Sequence, residues 1–99
     1  MRTVVVLAEA ARDMELGRDF YERQEEGIGA YFVDSLLGDI ESLALFHGIH
    51  PLHFGFYRML ATKFPYGCLL RGFHERTCVF AVLDLRRDAN WLHEELSGR

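Results

Sequence analysis

The side chains best suited to holding an anion fall in the second half of this chain: Arg58, Lys63, Arg71, Arg86 and Arg87, with Tyr66 and Trp91 interleaved. A guanidinium presents a rigid fork of donors to phosphate or carboxylate, so several on one surface would grip a phosphate or the acidic tail of a partner. Arg58 alternates in register with Phe56 and Leu60, where a sheet should be apolar. One explanation is local: the arginine snorkels from the sheet and pairs with a helix acid, Asp34 or Asp39. The other is functional: Arg58, Lys63, Arg71, Arg86 and Arg87 line one concave sheet face. Both can hold together, with Arg58 structural and Arg86 and Arg87 at the rim.

Two further sets of residues invite chemistry. His47, His50 and His53 repeat at three-residue steps, but Gly48 and Pro51 make this a loop, and no cysteine or paired carboxylate lies close by in sequence. That pattern lacks the regular presentation a zinc site needs, and no metal is expected. Cys68 and Cys78 do not make a disulfide framework and read as apolar filler. Should their segments form a hairpin, the two could be neighbours. Residual apolar groups, Met59, Leu69 and Trp91 among them, are candidates for a groove that receives a partner's helix or strand, unless the terminal helix covers it.

The charge balance supports a local site over a wholly basic surface. Residues 1–53 carry four Arg against ten Asp/Glu, a balance of −6, whereas residues 54–99 carry six Arg and one Lys against five, a balance of +2. A chain that grips nucleic acid with its whole surface is expected to be clearly basic, and this one is −4 overall. Ninety-nine residues make one domain, 1–99, with room for one core. The longest early apolar run, Val4 to Ala8, is too short to span a membrane or to form a signal-peptide core, so a cytoplasmic protein is expected.

The elements that must position these groups follow from pattern. "TVVVL" (Thr3–Leu7) is β-branched and reads as a first strand. Ala10–Glu26 is rich in helix formers, and Gly27 and Gly29 suit a stop and a tight restart. Ile28, Phe32, Leu36, Ile40 and Leu43 then form the stripe of a second amphipathic helix reaching about Phe46. Strands are expected at Phe54–Ala61, Tyr66–Gly72 and Thr77–Leu85, the last two joined by a hairpin loop at Phe73–Glu75. The near-continuous apolar run "TCVFAVLDL" marks a central strand covered on both faces. "RRDANWLHEELSGR" reads as a short helix docking through Trp91 and Leu92. The fold class is α+β, in the order β-α-α-β-β-β-(α), a two-helix hairpin on a mainly antiparallel four-stranded sheet.

That order resembles the RelE/ParE superfamily of toxins from bacterial type II toxin–antitoxin modules. "EAARDMELGRDFYERQEEGIGAYFVDSLLGDIESL" is similar to its two-helix hairpin, and "YRMLATKFPYGCLLRG" to its second and third strands. "VFAVLDLRRDANWL" is similar to its last strand and Arg-Arg-Asp-Pro-x-x-Trp tail, with Ala89 in place of the proline. The resemblance spans almost the whole chain. It implies a toxin that inhibits a macromolecular target, DNA gyrase for the ParE type, and that is neutralised by a cognate antitoxin. Arg58, Lys63, Tyr66, Arg71, Arg86, Arg87 and Trp91 are then the expected contacts with target or antitoxin. No cofactor is implied, and homodimerisation is left open.

The RelE type implies instead a ribosome-dependent mRNA endonuclease. Cleavage by 2′-hydroxyl attack requires a base, an acid for the leaving oxygen and cations for the phosphorane. Arg58 and Arg86 could supply charge, and Asp84 is the acid adjacent to the arginine pair, but many members carry His at that position. A carboxylate is a poor proton donor near neutral pH unless its pKa is raised. The catalytic set Arg58, Asp84, Arg86 is therefore incomplete, and both this gap and the acidic total favour the ParE type. A non-toxic relic or interaction domain that keeps the fold is the third reading.

Overall fold

The computed structural model describes residues 2–46 and 48–99. Strand β1 (Thr3–Val6) leads directly into α1 (Ala8–Gln24). Leu7 stays extended, yet its carbonyl accepts from Ala11 N–H, so the helix starts two residues before the Ala10 expected from sequence. Ala10, Met14, Gly17 and Tyr21 form its buried stripe at alternating four- and three-residue steps. Gly27, at φ 91°, reverses the chain into α2 (Ile28–Glu41), a conformation that suits glycine. The Glu22 carboxylate accepts N–H bonds from Gly27 (3.0 Å) and Gly29 (2.9 Å), so one helix caps the next.

Gly29 is not a turn residue. It lies inside α2, where a Cβ would sit 2.7 Å from the Arg18 carbonyl, and the two helices touch there through their backbones. The expected single helix to Phe46 breaks at Ser42, whose hydroxyl bonds the Asp39 carbonyl and diverts the ladder. The chain resumes as one turn, α3 (Leu43–Phe46).

Five strands form instead of the four expected. The segment read as one strand from Phe54 is a hairpin of β2 (Leu52–His53) and β3 (Phe56–Leu60), turning on Phe54 (φ 53°) and Gly55 (φ 81°). Two successive positive-φ residues match strand twist in a two-residue turn, and the phenylalanine hid that signal. β4 (Tyr66–Phe73) and β5 (Arg76–Asp84) follow as a long hairpin with a bulge opposite Leu69/Leu70. The sheet order is β1-β5-β4-β3-β2, all antiparallel except the β1–β5 pair, which aligns Thr3 with Arg76 and Val6 with Val79.

Both faces of the sheet are covered. The hairpin of α1 and α2 lies on the first face, burying Phe32, Leu36, Met59, Cys68, Leu70 and Val82 together. Tyr21, Phe32, Phe64 and Tyr66 stack there with ring centroids 4.8–5.1 Å apart for adjacent pairs, so the Phe-Pro-Tyr triplet anchors both helices. Helix α4 (Ala89–Ser97) crosses the second face, where Leu96, Trp91 and Leu92 pack on Phe56, Leu69, Ala81 and Leu83. This is the α+β fold expected from sequence, with one more strand. Among the described residues, no helix is long and apolar enough to cross a membrane.

Candidate functional site

At the end of β5 the chain must leave the sheet and start α4. Asp84 closes the strand, and Asp88 caps the helix by accepting from Trp91 N–H at 2.9 Å. Between α1 and α4, over this strand end, lies an open cleft of about 390 Å³. Leu16, Gly17 and Phe20 form its α1 wall, Tyr66, Val82 and Leu83 its floor, and Trp91 and Glu95 of α4, with Arg87 from the turn before it, the opposite wall. Leu16 and Phe20 remain exposed at its lip. The cleft is apolar inside and charged at the rim, a form suited to an amphipathic segment.

Two charge networks flank it. Arg86 grips Asp84 with Nε on Oδ1 (3.0 Å) and Nη2 on Oδ2 (2.8 Å), and Asp84 also accepts the Arg86 backbone N–H (2.9 Å). These bonds hold the Asp84 carboxyl below its ordinary range and raise Arg86 further. The Tyr66 hydroxyl is pushed up to about 12, first by burial and then by Asp84, so it stays protonated. At the other end, Asp13 of α1 accepts from Val82 N–H (2.9 Å) and from Arg99, whose guanidinium also reaches Glu9, Glu95 and the Phe80 carbonyl. That network joins α1, β5 and α4. Arg99 and Asp13 were not legible as site residues, since their 86-residue separation leaves no local pattern.

The cationic residues named from sequence do not share one face. Arg86 lies beside Tyr21 at the first-face end of β5, with Nη2 3.5 Å from the Tyr21 hydroxyl. Arg87 stacks on the Trp91 indole at 3.9 Å, at the mouth of the cleft. Lys63, in the β3–β4 loop, stands 5.3 Å above the Tyr31 ring of α2. Arg58 and Arg71 occupy the second face. Arg71 lies flat on Phe56 (3.9 Å to the ring centre) with Nε on the Gly55 carbonyl (3.0 Å). The structure thus brings Tyr66, Arg87 and Trp91 together at the cleft, with Arg86 just outside, and separates them from Arg58, Arg71 and Lys63.

The local explanation of Arg58 is overturned. Asp39 accepts from Thr62 N–H and Oγ1, both at 3.0 Å, and Arg58 points away from α2, opposite Leu69 on the second face. Its Nε is buried without a partner among the described residues. Gly67 makes room for it, because a Cβ there would meet Arg58 Cγ at 3.3 Å. Arg76 joins Arg58 and Arg71 on this face, opposite Phe73, and sequence reading had passed it over. None of the three forms an ion pair among the described residues, and the second-face strand positions include no Asp or Glu.

Other sequence expectations are corrected by the same register. Met59 is buried under α2 and Leu69 under α4, so Met59, Leu69 and Trp91 do not line one groove. Cys68 faces the first side and Cys78, aligned with Arg71, the second, so the thiols are not neighbours. Of the histidine run, His47 lies outside the described residues, His50 sits in the bend before β2, and His53 is in β2. The set Arg58, Asp84, Arg86 is not assembled, since Asp84 aligns with Tyr66 on the first face and Arg58 lies on the second.

The element order and the helix hairpin on a mainly antiparallel sheet make an α+β fold. No family model matches the sequence, and no curated protein matches it at a significant level. Among solved structures, the chain is similar to one from the chromosomal ParDE TA system from P. aeruginosa, with a TM-score of 0.78. The alignment covers 86% of this chain and 97% of that one at 13% sequence identity, a likeness of fold.

Proposed function

We propose that this protein is the toxin of a type II toxin–antitoxin module, of the ParE type, and that it acts by binding a macromolecular target without cutting RNA. The observation that carries this reading is the near-complete overlap of fold with a chain from a ParDE system. The site chemistry favours a binder. Asp84 is tied up in a two-point pair with Arg86 that lowers its pKa and makes it a weak base, burial pushes Tyr66 up to about 12 and makes it a weak acid, and Arg58 stands on the other side of the sheet. DNA gyrase is the target that the family resemblance implies.

The antitoxin is a peptide with an amphipathic portion and acidic residues. The amphipathic portion fills the cleft between α1 and α4, next to Arg87 and Trp91. The acidic residues reach Arg71 and Arg76, which form no ion pair among the described residues and offer forked bonds to carboxylates. Purified protein titrated into a gyrase supercoiling reaction should abolish supercoiling, and activity that persists at saturating protein removes gyrase as the target. Induced expression should arrest growth, and absence of arrest refutes the toxin reading itself. Messages cleaved at ribosomes, detected by primer extension, would replace the binder with the nuclease. A short adjacent gene encoding a DNA-binding protein with a flexible acidic tail is the expected genetic setting.

A further inference from the structure

A second surface lies away from the cleft, and we infer that it receives a second copy of this chain. From Ser42 to Tyr57 the sequence contains no Asp, Glu, Lys or Arg, although 26% of the chain is charged. In the fold this stretch starts at α3, which lies against β1 at one edge of the sheet, and ends in the β2–β3 hairpin at the other edge. Its large side chains turn outward: Ile49 is 73% exposed, Leu45 63%, Leu52 62% and Phe46 55%. Leu52 pairs across the strands with Tyr57, itself 44% exposed. Beside them is a hollow of about 200 Å³ lined by Arg2, Gly48, Tyr57, Leu70, Gly72 and Thr77.

Three features favour a copy of the same chain. Across a two-fold axis a surface meets itself, so any charge near the axis faces its own sign, and a chain at −4 meets itself best through uncharged side chains. The patch is also self-complementary. Ile49 projects next to Gly48 on the lip of the hollow, so the two-fold can seat each copy's Ile49 in its partner's hollow. The area suffices as well. At ~200 Å² for a large side chain, the exposed parts of these five come to about 600 Å² a copy, or about 1,200 Å² in all, the lower end of specific interfaces. Arg2, the charged residue on the hollow, is already held by the Thr77 hydroxyl and the Arg76 carbonyl.

Sedimentation velocity on the full chain, from ~1 to ~200 µM, tests the inference. A weak dimer that assembles within this concentration range is expected, since interfaces at the lower end of the size range are those of transient pairs. Ile49→Asp and Leu52→Asp each place like charges across the axis and should weaken the dimer at least ~100-fold. Circular dichroism should show both variants folded, because both side chains are exposed. Arg76→Glu and Phe73→Asp, on the second face, should leave the dimer intact. A wild type that stays monomeric at ~200 µM, aspartate variants that dimerise as tightly as the wild type, or loss of the dimer in the second-face variants would each overturn it. None of these results bears on toxicity, so the inference stands or falls apart from the toxin reading.

Discussion

Replacing Asp13 with alanine should be among the most damaging single changes outside the apolar core. Its side chain is 9% exposed and does three things: it accepts Val82 N–H, and it takes both Nη atoms of Arg99, which is equally buried. Alanine leaves a buried strand N–H without an acceptor and a buried guanidinium short of its main counter-ion. Removing one partner of a buried ion pair costs about 3–5 kcal/mol. The lower end applies here, because Glu95 and Glu9 still reach Arg99 from positions 39% and 67% exposed. A loss of about 3 kcal/mol lowers Tm by roughly 12–24 °C in a domain of this size. Urea unfolding gives the free energy, and hydrogen exchange should show residues 89–99 opening first, since Arg99 ties α4 to α1 and β5. The pair Asp13→Ala/Arg99→Met should be less destabilised than the sum of the single changes, by more than ~1 kcal/mol. A single variant within ~0.5 kcal/mol of wild type, or strict additivity, would refute the reasoning.

Other consequences are quicker to check. Gly29→Ala forces a Cβ to within 2.7 Å of the Arg18 carbonyl and should cost about 1–3 kcal/mol by separating α1 from α2, measured by thermal denaturation. Asp84→Asn should cost about 1 kcal/mol at pH 7, a modest value because Arg86 is 53% exposed. The Asp84 pKa is lowered in the fold, so its contribution is present above the unfolded value near ~3.9 and fades as pH falls through the folded one; melting curves of the two proteins should converge in acid. Burial pushes the Cys68 thiol up to about 12, whereas Cys78 is partly exposed, so a disulfide reagent at pH 8 should titrate one thiol in the native protein and two in denaturant.

The fold was largely legible because its signals are local. The Ile28–Phe32–Leu36–Ile40 stripe shows a helix whichever partner it finds, and the unbroken apolar run through β5 predicted cover on both faces, which α1 and α4 provide. The misses have physical causes. Ser42 breaks a good apolar stripe with one hydroxyl, and Phe54 occupies a turn position where asparagine or glycine would have announced a hairpin. The candidate site was harder to read. Period-two alternation puts Arg58 in register with Phe56 but does not say which face the helix hairpin covers, and the partners supposed for Arg58 lie on the wrong one. Arg86 and Arg87 are adjacent, yet a turn sends one to Asp84 and the other to Trp91.

The parallel pairing of β1 with β5 has a consequence for synthesis. Thr3 through Val6 have no neighbouring strand until residues 76–79 exist, so this segment waits through the synthesis of the helices and three strands before it finds its place. A nascent chain that stops short of residue 75 has two joined helices, the β2–β3–β4 strands and an orphan β1, but neither the cleft nor the arginine pair that borders it. The surface that carries the cleft is therefore complete only once β5 and the residues after it have been made.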